Sequence, residues 1–160
     1  MQLNALLSEQ VKFVIGLDPA VPSSSVPDYV SLKNYERVCI IILAKNATTV
    51  TGSAITVKQA TSVAAGGEKA LSFSKVYRNV DTAAADVLSE LAVVSDTFTM
   101  QAVNSKNAMY IIEVKAEDLD VNNGFDCIRA GVGDATAQTV TVLYSLFGAK
   151  FPTTVPAITD

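Results

Sequence analysis

A chain of 160 residues and 16.9 kDa is about one domain long and large enough to bury a substantial core. It is 49% hydrophobic and only 18% charged, yet no apolar run approaches the roughly 18 residues of a membrane-crossing helix, so the excess apolar surface belongs in a core or an interface. Net charge is −4 and Lys and Arg are scattered, which argues against nucleic acid as a partner, because neutralising phosphates supplies most of that affinity.

The N-terminal residues have two readings. Leu3, Leu6, Leu7, Val11 and Val14 recur at helical spacing, while residues 11–15 read equally as a short strand. The basic start, apolar stretch and small-residue cleavage site of a signal peptide are not seen there, so synthesis in a cytoplasm is expected. Residues 18–28 hold Pro19, Pro22, Pro27 and three serines (23–25), and proline fixes φ and lacks the amide hydrogen, so this piece is expected to be extended. Residues 1–28 are thus either an N-terminal arm with its connector or an edge segment folded back on its own sheet. A compact domain follows at 29–149, and a Pro/Thr-rich tail at 150–160 is expected to be extended.

Residues 38–44 form an apolar run rich in β-branched side chains, as in a central strand covered on both faces. After a turn-rich patch with Asn46, Thr48, Thr49 and Gly52, residues 54–60 alternate, Ile55 and Val57 against Thr56 and Lys58. The pair reads as a hairpin, with the second strand nearer solvent. Gly66 and Gly67 mark a loop, and Leu71, Phe73 and Tyr77 a further strand. Val87, Leu88, Leu91 and Val94 share a helical face, with Asp81 or Thr82 as cap, so residues 81–94 are read as one short helix or a long loop. Strands are expected near 97–103, 109–114, 125–132 and 139–147. Many short strands with turns between them predict an all-β fold, a β-sandwich or jelly-roll-like domain with at most one short helix.

Chemistry is sparse. With no histidine, the Ser-His and Cys-His dyads and His-ligated metals are excluded. Cys39 and Cys127 alone do not make a four-ligand zinc site; they are read as buried free thiols, with a disulfide as the alternative. Gly131-Val132-Gly133 lacks the third glycine of a dinucleotide loop and reads as a strand-end turn. Glu117, Asp118, Asp120, Asn122 and Asn123 approximate a calcium loop, but Asn123 stands where the EF-hand order requires Gly, and a solvated turn is expected. Met100 and Met109 read as core filler. No catalytic, cofactor-binding or metal residue is assigned, and no enzyme is expected.

Four segments carry a likeness to known proteins. Residues 7–19 (Leu-Ser-Glu-Gln-Val-Lys-Phe-Val-Ile-Gly-Leu-Asp-Pro), a Pro/Ser spacer and residues 28–38 (Asp-Tyr-Val-Ser-Leu-Lys-Asn-Tyr-Glu-Arg-Val) come first. Residues 54–60 (Ala-Ile-Thr-Val-Lys-Gln-Ala) and 110–119 (Tyr-Ile-Ile-Glu-Val-Lys-Ala-Glu-Asp-Leu) follow. Together they resemble small proteins encoded near the head genes of tailed bacteriophages. That resemblance implies a virion component, and within that class a capsid decoration (cement) protein. Its partners would be the major capsid protein and copies of itself, as a trimer on the capsid exterior, without nucleic acid or membrane. A tail, baseplate or head-fibre subunit would use the same parts. A carbohydrate-binding or adhesive module would instead need exposed aromatics, for which Tyr29, Tyr35, Tyr77, Tyr110 and Tyr144 are the candidates.

Overall fold

A computed structural model describes residues 6–22 and 26–150. One short helix, α1 (Leu7–Gln10), precedes eleven strands: β1 (Lys12–Ala20), β2 (Val30–Ser31), β3 (Arg37–Asn46), β4 (Ala54–Ala60), β5 (Lys69–Ala70), β6 (Phe73–Asn79), β7 (Ser89–Ser95), β8 (Thr97–Thr99), β9 (Asn107–Lys115), β10 (Cys127–Val132) and β11 (Gln138–Phe147). They form two antiparallel sheets. The larger runs β1-β11-β3-β9-β6-β7; the smaller runs β2-β10-β4-β5, with β8 also on β4. The result is a β-sandwich. Strand side chains alternate in direction, so each sheet sends every second residue inward. Val38, Ile40 and Ile42 of β3, Tyr110 and Ile112 of β9 and Val140, Val142 and Tyr144 of β11 meet Ile55 and Val57 of β4 and Ile128 and Ala130 of β10 in one core.

Several expectations are corrected. β3 and β4 do not pair as a hairpin; they lie in different sheets, and residues 47–53 cross between them. Buried polar groups hold that crossing. Gln138 Nε2 donates to Asn46 Oδ1 at 2.8 Å, the Ser53 amide donates to Gln138 Oε1 at 3.2 Å, and Ser53 Oγ donates to the Gly133 carbonyl at 2.5 Å. These bonds tie both sheets to one corner, which a hairpin turn would leave apart. The run in β3 is not covered on both faces either, because Leu43 is 45% exposed on the face opposite Ile40 and Ile42. Residues 81–94 hold no helix: the segment turns after Asp81 and then forms β7. The helical spacing there was coincidental, because Val87, Leu88 and Val94 are exposed while Leu91 and Val93 alternate inward as strand residues.

Of the two readings of residues 1–28, the described part fits the edge segment. β1 pairs antiparallel with β11 from Lys12↔Leu146 to Ala20↔Val140. Leu17 enters the core, and the Asp28 amide bonds the Gly16 carbonyl at 2.8 Å. Gly16 is required by close approach: a Cβ there would lie 2.1 Å from the ring of Tyr144. Residues 12–20 are therefore part of the sandwich rather than a free arm. Residues 1–5, 23–25 and the expected tail at 151–160 lie outside the described residues.

Candidate interaction surfaces

The outer face of the larger sheet is apolar. The strand registers align Ile15, Leu143, Ile41, Ile111 and Tyr77 in one row that crosses five strands and ends at Glu90. Thr141, Leu43, Met109 and Asn79 form the row on one side, and Phe13, Ser145, Cys39 and Glu113 the row on the other. Phe13, Ile15, Leu43 and Tyr77 are exposed. Five strands about 4.8 Å apart and three rows about 6.7 Å apart span roughly 400 Å² of sheet plane, of which the central row is the apolar part, flanked by rows that include the polar Thr141, Asn79, Ser145 and Glu113. A groove of about 670 Å³ opens at one end, bordered by Pro19, Leu43, Lys45, Met109 and Thr141. Arg37 and Lys115 face each other beyond the other end. Met109, expected in the core, belongs to this face, whereas Met100 is buried.

The smaller sheet presents a polar outer face. Glu68 gathers three partners: Lys58 Nζ at 2.5 Å, Arg129 Nη2 at 2.6 Å and the Tyr29 hydroxyl, which donates at 2.6 Å. The Arg129 guanidinium also lies over the Tyr29 ring, 4.7 Å from its centroid. The bonds from Lys58 and then Tyr29 hold the Glu68 carboxyl below its ordinary pKa, while burial and the bond to Glu68 push the Tyr29 phenol up. These bonds fasten the loop bearing Glu68 onto β4 and β10, while Arg129 Nε stays buried without a hydrogen-bond partner among the described residues.

The residues singled out in the sequence do not converge. Cys39 lies on the outer face of β3 and Cys127 on β10 of the other sheet; both are free thiols, so no bridge joins them within the chain. Burial and then the nearby Glu113 carboxylate push the Cys39 pKa up to about 11, and burial with Asp126 pushes Cys127 up to about 12. In the acidic segment, Asp120 is held by Lys69 and by Asn123 Nδ2, Glu117 pairs with Lys115 at 3.0 Å, and Asp118 accepts from the Lys115 amide at 3.0 Å. Among the described residues no three acidic or cysteine side chains are grouped to hold a metal. Gly131 and Gly133 sit at the end of β10, where the Gly133 amide bonds the Ala54 carbonyl at 2.8 Å.

The tyrosines also divide. Tyr110 and Tyr144 are fully buried and Tyr29 nearly so, whereas Tyr77 joins the apolar row. Tyr29 and Tyr35 border a recess of about 420 Å³ with Asp28, Ser31 and Asn34, but the Tyr29 ring and hydroxyl are already taken by Arg129 and Glu68. The apolar face escaped the sequence because its residues read as central-strand core. The signal for it was the doubly apolar pattern of β3, Val-Cys-Ile-Ile-Ile-Leu-Ala, in a sandwich that covers only one face of each sheet.

No family model matches the chain, and no curated protein matches it. Among solved structures, the crystal structure of SPBc2 prophage-derived protein YomS superposes with a TM-score of 0.50, covering 86% of this chain and 93% of that one at 14% identity. The likeness is one of fold. No described helix is long and apolar enough to cross a membrane.

Proposed function

We propose that this chain is a structural component of a tailed-phage virion, and within that class a capsid decoration protein bound to the outside of the head in many copies. The observation that carries the proposal is the apolar row Ile15–Leu143–Ile41–Ile111–Tyr77 on an open sheet face. Leaving such side chains in water is unfavourable by roughly 25 cal/mol per Å², so a partner that covers them gains affinity without bonds of special geometry. Two further facts support the reading: the sequence patterns resemble phage head-neighbourhood proteins, and the fold is found in a prophage-derived protein. The partner would be the major capsid protein. Hundreds of symmetry-related sites make modest individual contacts hold collectively once neighbours are linked.

The test is quantitative mass spectrometry of purified particles of the phage that encodes the chain, after separation of heads from tails. Stoichiometric presence on heads, at a copy number comparable to that of the capsid subunits, supports the proposal. Enrichment in the tail fraction would replace decoration by a tail or baseplate role, and absence from particles would overturn the virion reading.

A further inference from the structure

Sheet edges carry unpaired backbone groups, and proteins ordinarily blunt them by shortness, bulges, proline or charge. Among the described residues three of the four sheet edges are blunted, with β5 and β8 sharing one beside β4. β2 and β5 are two residues long and β8 three. β1 carries Gly16, Asp18 and Pro19 and has two register shifts against β11. The exception is β7, the last strand of the larger sheet. Its seven residues, Ser-Glu-Leu-Ala-Val-Val-Ser, contain no Lys, Pro or Gly, and its one charge, Glu90, is paired with Lys75 of β6 at 3.4 Å. Its pairing with β6 shifts register between Phe73 and Lys75, yet burial alternates along β7 through Ser95. Val94 is fully exposed, and Val87 and Leu88 just before the strand leave the same edge apolar.

We propose that β7 is a strand-addition edge that pairs antiparallel with β7 of a second copy about a two-fold axis at Ala92. The choice of occupant rests on the sequence of the strand, which is nearly palindromic in character. Centred on Ala92, the register sets Ser89 against Ser95, Glu90 against Val94 and Leu91 against Val93 of the other copy. Polar ends meet polar ends, the two inward apolar residues meet each other, and the small residue meets itself. An isologous contact requires that self-complementarity. Glu90 meets no like charge, and its stem covers Val94, which no described side chain of its own copy shields. The paired sheets would run continuously through twelve strands, joining two apolar outer faces into one surface. The contact stands independently of the virion reading. It makes the soluble unit a dimer, in place of the trimer that the family resemblance implies.

Charge placed at position 94 tests the register. In the proposed pairing, Val94→Glu puts a carboxylate opposite Glu90 of the partner at two symmetric sites, and like charges directly opposite destabilise a strand pair. Val94→Lys puts an opposite charge there. Val94 is fully exposed, so neither change disturbs the fold. Light scattering across a concentration series should give twice 16.9 kDa for the wild type and for Val94→Lys, and 16.9 kDa for Val94→Glu. A second measurement is oxidation of an equimolar mixture of Glu90→Cys and Val94→Cys. Facing residues have Cβ atoms about 4.5–5.5 Å apart, close to disulfide reach, so the mixture should cross-link while Glu90→Cys alone does not. A wild-type monomer, a trimer, a dimer indifferent to Val94→Glu, or a mixture that does not cross-link would each overturn the proposal.

Discussion

Tyr144→Phe removes one oxygen from the centre of the sandwich and gives a sharp test of how the N-terminal segment is held. The Tyr144 ring is fully buried. Its hydroxyl accepts from the Ala130 amide of β10 at 3.1 Å and donates to the Asp28 carbonyl at 3.0 Å, so one atom links β11, the opposite sheet and the segment leading into β2. Burial pushes the phenol pKa above its ordinary value, in keeping with a dry site. Phenylalanine keeps the ring, so the packing loss is small and the cost comes from the polar partners. Ala130 is fully buried, and an unpaired buried amide costs about 1–3 kcal/mol. The bond to the Asp28 carbonyl is only part-buried, so it adds less. The sum is about 2 kcal/mol, or a fall in Tm of about 4–8 °C for a chain of this size. Tyr110→Phe is the internal control. Its hydroxyl accepts from the amide of Gln101, an exposed residue, at 2.9 Å, so the loss should be under about 1 kcal/mol. Thermal and urea unfolding of the two variants decide the matter. Equal shifts, or a Tyr144→Phe shift below about 1 °C, would refute the assignment of that hydroxyl as a link between sheets.

Other perturbations follow from the same contacts. Gly16→Ala drives a Cβ to within 2.1 Å of the Tyr144 ring and should cost about 1–3 kcal/mol, with faster hydrogen exchange along β1 and β11; unchanged exchange would mean that β1 is not seated as described. Glu68 has a folded-state pKa below its ordinary 4.5, so its contribution to stability is fully present above about pH 4.5 and is lost as pH falls through the lower value. The stability difference between wild type and Glu68→Gln should therefore shrink as pH falls below about 4.5, and a difference that grows on acidification would contradict the cluster. With its pKa near 11, Cys39 is about one part in a thousand thiolate at pH 8. Both thiols should then react with a disulfide reagent slowly in the native chain and quickly in urea. Rapid native labelling would show that one of them is activated.

The sequence disclosed most of the strands because one face of each is core and the alternation is clean, as at Ile55/Val57 and Val140/Val142. It failed where two patterns coincide. Between residues 87 and 94, apolar residues satisfy helical spacing and strand alternation at once, and only the tertiary pairing with β6 selects the strand. The crossing between β3 and β4 was hidden for a different reason. Its polar links join Asn46 and Ser53 to Gln138, some ninety residues away, and no local signal reports them. The candidate surface was present as residues but not as a surface. Ile41, Ile111 and Leu143 were identified as strand residues and Ile15 fell in a stretch read as either helix or strand, while the register that aligns them in one row, and the lack of a third layer over it among the described residues, exist only in the fold. β1 shows the same limit: Pro19 and the serine-rich stretch suggested an arm, but a bulged edge strand tolerates that proline.

The central claim is that the outer face of the larger sheet docks this chain onto a phage head, and one co-sedimentation experiment addresses it directly. Undecorated heads would be mixed with wild-type protein and with an Ile15→Asp, Leu43→Asp double variant. Both positions are exposed, so the variant should keep the wild-type Tm. Wild type should pellet to a saturable, stoichiometric level and the double variant should remain in the supernatant. Equal pelleting of the two would place the contact elsewhere on the molecule, and failure of both to pellet would contradict the account.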